Sequence, residues 1–145
     1  KRMSEATTIN NAENLFMTSA TNGEKLFEEE LTYIPEDTML YEINGPLFFG
    51  ASQKFQEFLT DLKQEPRVLI LRMRNVPFID ATALNRLKEF SQKLTSAGTT
   101  IVISGANQNV KKELLKTDFY SLIGEKNILD NINQAIERAE EILKN

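Results

Sequence analysis

The chain has 145 residues, of which 41% are hydrophobic and 26% charged, and its formal net charge is −4. That length suits one domain of ordinary size, and an acidic balance with no long basic block speaks against nucleic acid or an acidic membrane surface as a partner. Cysteine and histidine are both absent, which removes disulfides, thiolate nucleophiles, imidazole bases and the usual zinc ligands together.

No stretch approaches the ~20 apolar residues that a membrane-spanning helix needs. A polar segment, not an apolar one, follows the basic pair Lys1-Arg2, so no signal peptide is visible. The chain as given is therefore expected to be soluble. It begins with Lys1 rather than Met, which suggests a piece of a longer protein. Residues 1–30 read as a linker, with the flexible composition of "TSATNG" at 18–23. The folded domain is expected over residues 31–145.

The first clear element is "TMLYEI" at 38–43, which has the residue types and partial alternation of a strand. Asn44-Gly45-Pro46 marks a turn, and "LFF" at 47–49 reads as a second strand, antiparallel to the first. Ala51, Phe55, Phe58, Leu59 and Leu62 then fall on one face of a helix. Phe48, Phe49, Phe55 and Phe58 are expected in the core. Glu65-Pro66 breaks that helix. "VLIL" at 68–71 is a continuous apolar run, as in a strand buried on both faces.

"VPFIDATALNRLKEF" at 76–90 follows, with a helical face of Ala83, Leu87, Phe90, Leu94 and Ala97 that ends at Gly98. "TTIVIS" at 99–104 predicts another buried strand. Gly105-Ala106-Asn107 leads into a shorter helix carrying Val110 and Leu114. "TDFYSLIGEKN" at 117–127 reads as a loop. The last helix shows Leu129, Ile132, Ile136, Ala139 and Leu143 on one side, with Ile128 and Ala135 widening that face. Strands alternating with helices imply crossover units. The expected fold is α/β: a mixed β-sheet of about four to five strands with four to five α-helices.

Ligands of open α/β sheets usually bind beyond the carboxyl ends of the strands. Asp80, Ala81, Thr82, Ser104, Gly105 and Asn107 fall at such ends and are the candidate anion- or nucleotide-binding residues. A helix start offers unpaired N–H groups and a positive dipole end to an anion. The plainer role for Asp80 is a helix cap, and for Thr82 a first-turn hydroxyl bonded to nearby backbone. Phe119 and Tyr120, beside Leu122 and Ile123, form either an exposed partner patch or part of the packing against the last helix. No Walker-type or GxGxxG loop is present, and the serines lack a histidine partner. No catalytic residues, metal ligands or obligatory cofactor are assigned, and the chain is not expected to be an enzyme.

Three segments carry a resemblance: "EINGPLFFGASQKF" (42–55), "VLILRMRNVPFIDATALNRLKEF" (68–90) and "GTTIVISGAN" (98–107). In order and spacing they resemble a STAS domain, most of all the C-terminal STAS domain of SulP-type (SLC26-like) anion transporters, over roughly residues 38–143. The segment "KRMSEATTIN" resembles the stretch just after the last membrane helix of such transporters. The resemblance implies a regulatory module at the cytoplasmic face of the membrane. Its expected partners are the transmembrane domain of the same polypeptide, a second copy, or a cytosolic regulatory protein. Nucleotide binding is associated with some members.

The other branch of the family, the anti-sigma-factor antagonists, carries D-S-S-G where this chain has Asp80-Ala81-Thr82-Ala83. Thr82 matches the phosphoacceptor serine of that branch, while Ala81 and Ala83 depart from it. A free-standing antagonist regulated by phosphorylation at Thr82 is the alternative reading.

Overall fold

The computed structural model describes residues 34–44 and 66–144. Its frame is a sheet whose central strand residues are buried and mostly apolar. Strand β1 spans Thr38–Asn44, β2 Val68–Asn75, β3 Thr100–Ser104 and β4 Ile128–Leu129. They form a four-stranded sheet in the order β1-β2-β3-β4, with every neighbouring pair parallel. Helix α1 spans Ala81–Ser96, α2 Gln108–Leu115, α3 Phe119–Ile123 and α4 Ile132–Lys144.

Side chains alternate across a strand, and β2 divides its residues between two cores. Leu69, Leu71 and Met73 join Tyr41, Ile43, Ile101 and Ile103 under α1, α2 and α3. Val68 and Ile70 join Leu40, Val102 and Ile34 under Ile132, Ala135 and Ala139 of α4. A strand covered on both faces needs apolar residues at both parities, which is why "VLIL" shows no alternation. The stripe on α1 buries Ala83, Leu84, Leu87, Phe90 and Leu94.

The chain corrects three of the expected boundaries. β2 does not end at Leu71 but runs on through Arg72-Met73-Arg74-Asn75. Residues 117–127 are not a plain loop: α3 occupies Phe119–Ile123, and a 3₁₀ turn occupies Glu125–Asn127. Ile128 and Leu129 belong to β4 and not to the last helix, which begins at Ile132. Ile128 pairs with Ile103 and Leu129 with Ser104, so main-chain hydrogen bonds to β3 take these two residues out of the helical pattern. The expected "LFF" strand, the 51–62 helix, Phe48, Phe49, Phe55 and Phe58, and the 1–30 linker all lie outside the described residues.

Candidate functional site

The strand-to-helix turn after β2 is held by side chains from two directions. The Asp80 carboxylate accepts the Ala83 N–H at 2.7 Å, and Asp80 is the N-cap of α1. Asn107 braces the same turn from the next loop. Its Nδ2 donates to the carbonyls of Val76 at 3.2 Å and Pro77 at 3.3 Å, while its Oδ1 accepts the Val110 N–H at 2.8 Å as the N-cap of α2. Asp80 and Asn107 therefore do structural work in this state. Ala81 and Thr82 are exposed beside Pro77 and Phe78, and Phe78 is 45% exposed. Pro77, Phe78, Ala81 and Thr82 are the residues this turn exposes. Sequence reasoning passed over Phe78, since an apolar residue leaving a buried strand looks like core.

A second polar group sits across the sheet, on the α4 side. Glu42, Arg72 and Ser104 are register neighbours on β1, β2 and β3, and all three are buried. One Glu42 oxygen lies 3.4 Å from Nη1 of Arg72. The other accepts from Asn75 Nδ2 at 3.2 Å and lies 3.8 Å from Nη2 of Arg74. Arg74 follows Arg72 on the same face and is one-quarter exposed.

Gly105 ends β3 at φ +78°, and its N–H donates to the carbonyl of Leu129 at 3.1 Å. A Cβ there would lie 3.0 Å from Arg74 Cβ. This row opens into a cavity of about 290 Å³, lined by Arg72, Arg74, Ser104 and Gly105 together with residues 130–133 at the start of α4.

The structure thus separates the six candidate ligand residues. Asp80, Ala81, Thr82 and Asn107 gather at the starts of α1 and α2, whereas Ser104 and Gly105 line the cavity at α4. Glu42, Arg72 and Arg74 were not singled out in the sequence. The signal available for the arginines was the alternation "RMRN" directly after the apolar run: period two with Met73 inward and Arg72 and Arg74 on the other face.

Of the aromatic pair, Phe119 is fully buried in the core with α1 and α2, and Tyr120 is partly buried against the same cluster. Phe119 is therefore packed, and it packs under α1 rather than against the last helix. A partner reaching this pair would meet Tyr120. Among the described residues, no group of three acidic side chains is placed to hold a metal ion. None of the described helices is long and apolar enough to cross a membrane.

Residues 31–137 match the STAS domain family. The chain belongs to that family. Its relatives include YvdB of Bacillus subtilis strain 168, provisionally named a sulfate transporter, which is 29% identical over 132 residues. That match takes in 90% of this chain but 23% of YvdB, so the chain spans about a quarter of that relative's length.

Among solved structures, a sulfate transporter family protein from Wolinella succinogenes is 34% identical, with a TM-score of 0.74. The match covers 79% of this chain and 93% of that one. The SulP transporter STAS domain of Vibrio cholerae is 30% identical, with a TM-score of 0.68, and the match covers 83% and 94% of the two chains. These solved relatives at 30% identity or more are thus a sulfate transporter family protein and the STAS domain of a SulP transporter.

Proposed function

We propose that this STAS domain is the cytoplasmic regulatory part of a longer SulP-type anion transporter of the sulfate class. It is joined to the transmembrane domain of the same polypeptide through residues 1–30, and it acts by contact rather than by catalysis. The observation that carries this reading is the pair of coverages: nearly the whole of the Vibrio cholerae STAS domain is matched, but only 23% of YvdB. The contact surface proposed is the exposed turn of Pro77, Phe78, Ala81 and Thr82. An apolar ring beside a first-turn hydroxyl offers a partner both buried area and a place to be repelled.

Phosphorylation at Thr82 would add ~−1.5 to −2 charge units at the second residue of α1. The helix end would stabilise that charge by ~0.3–1 kcal/mol, and Asp80 would oppose it, so the effect falls mainly on whatever docks there. Other contacts, with a second copy or a cytosolic protein, would use the same mechanism.

The test is an immunoblot of source-cell membrane and soluble fractions with an antibody to this domain, followed by sulfate uptake. A membrane-bound band far above 16.5 kDa, with uptake altered by Thr82→Glu, is the expected result. A soluble band near 16.5 kDa would overturn the transporter reading and favour the free-standing antagonist. Unchanged uptake with Thr82→Glu in a membrane-bound transporter would remove only the role of Thr82.

A further inference from the structure

The cavity on the α4 side of the sheet is chemically unlike the turn at Asp80, and three of its features converge. The first is Ser104. Its side chain is fully buried and lines the cavity, and its Oγ has no hydrogen-bond partner. Leaving such a hydroxyl unsatisfied costs about 1–3 kcal/mol, a cost that a bound acceptor would remove.

The second feature is the start of α4, a helix of 13 residues. Asn131 caps it: its Oδ1 accepts the Gln134 N–H at 2.9 Å, and its carbonyl accepts the Ala135 N–H at 3.1 Å. The N–H groups of Ile132 and Asn133 come earlier in the first turn, where the helix supplies no acceptor, and both residues line the cavity. The dipole end there is positive.

The third feature is the pair of guanidiniums. Arg72 and Arg74 both line the cavity, and both lie within 4 Å of Glu42. An arginine carries five N–H donors in a planar fork, more than its contact with a carboxylate takes up, so it can share donors with a bound anion. Asp130 also lines the cavity, and Lys111 pairs with its carboxylate at 3.0 Å, which offsets its repulsion of an anion. Donors from a hydroxyl, two main-chain amides and two guanidiniums suit a ligand with several acceptor oxygens and negative charge. A volume of about 290 Å³ is at the small end of ligand pockets, which run from ~300 to 1,000 Å³.

We propose that this cavity binds a small tetrahedral oxyanion, sulfate or inorganic phosphate, through Ser104, the first-turn amides of α4, and the guanidiniums of Arg72 and Arg74. The site does not depend on the transporter reading.

The test is a titration of the ¹⁵N-labelled 145-residue chain with sulfate, phosphate and AMP in separate arms, at ionic strength held constant with chloride. Saturable shifts centred on the amides of Gly105, Ile132 and Asn133 are expected for sulfate or phosphate, with AMP no tighter than phosphate. Ser104→Ala should weaken binding about 10-fold, the loss expected for one hydrogen bond to a charged group. Arg74→Gln, at a partly exposed position, should weaken it at least as much. Amide spectra distant from the cavity report that both variants stay folded.

Shifts that never saturate would overturn the proposal. So would saturable shifts at Ala81–Ala83 instead of α4, or binding indifferent to both substitutions. Tighter binding of AMP at the same amides would overturn the small-oxyanion assignment in favour of a nucleotide.

Discussion

The carboxylate of Glu42 lies 3.4 Å from the guanidinium of Arg72, its register partner on the next strand, and both side chains are buried. Two strands must bring these charges out of water together. Glu42→Gln is expected to cost about 3–5 kcal/mol, because it leaves a buried cation without its carboxylate. The double replacement Glu42→Leu with Arg72→Met should recover much of that loss, since well-packed apolar pairs often match a buried ion pair. Urea unfolding of the single and double variants gives the coupling directly. Strictly additive losses would show that the two groups do not act as a pair.

Asp80 makes a quantitative distinction between cap and binding residue. Its carboxylate holds one first-turn N–H, so Asp80→Ala should lose about 1 kcal/mol, whereas Asp80→Ser should lose little. Thr82→Ala, at an exposed position, should stay within about 0.5 kcal/mol of the parent. Thermal melts of the three variants check the order. An Asp80→Ala protein as stable as the parent would show that the cap contributes nothing to the fold.

Two glycines separate backbone strain from close approach. Gly98 and Gly105 both have positive φ, at 101° and 78°. A Cβ on Gly98 would meet nothing within 4 Å, while one on Gly105 would lie 3.0 Å from Arg74 Cβ and 3.2 Å from its Cα and N. Gly98→Ala should therefore show the conformational cost alone, about 1 kcal/mol or somewhat more. Gly105→Ala should exceed it by about 1–3 kcal/mol, because β2 backbone must also move. Equal losses in denaturant unfolding would mean that β2 yields freely at Arg74.

What the sequence made legible, and what it did not, follows from the range of the interactions. Ala83, Leu87, Phe90 and Leu94 were readable because a period of 3.6 is local, and Leu69 and Leu71 because a continuous apolar run is. The Asp80 cap was readable for the same reason: its acceptor and donor are three residues apart.

Glu42 and Arg72 are 30 residues apart. Nothing near either residue says that strand register will place them opposite each other. Ile128 and Leu129 look helical by spacing, and pairing with β3 overrides that spacing. Phe119 sits among polar and turn-forming neighbours, which suggested a loop, yet a one-turn helix carries it into the core under α1. Of the cavity only Ser104 and Gly105 were named from the sequence, since it joins β2, β3 and the start of α4 from three parts of the chain.

Tyr41 supplies a dependence on pH with a definite sign. Its side chain is fully buried in the core beneath α1, and burial pushes the phenol well above the ordinary tyrosine range by disfavouring the phenolate. In the unfolded chain the phenol ionises near pH ~10. Below that pH both states hold the proton, and the full contribution to stability is present. Above it the unfolded chain releases the proton while the folded chain retains it, so stability falls as pH rises, by up to ~1.4 kcal/mol per pH unit.

Tyr41→Phe removes this term and leaves the other tyrosines and the lysines unchanged. The stability difference between the parent and Tyr41→Phe should therefore be flat below about pH 9. It should then drift in favour of the variant above about pH 10, as read by urea midpoints at each pH. Parallel curves through the alkaline range would mean that the Tyr41 phenol ionises as readily in the folded protein as in the unfolded chain, and that its burial beneath α1 does not disfavour the phenolate.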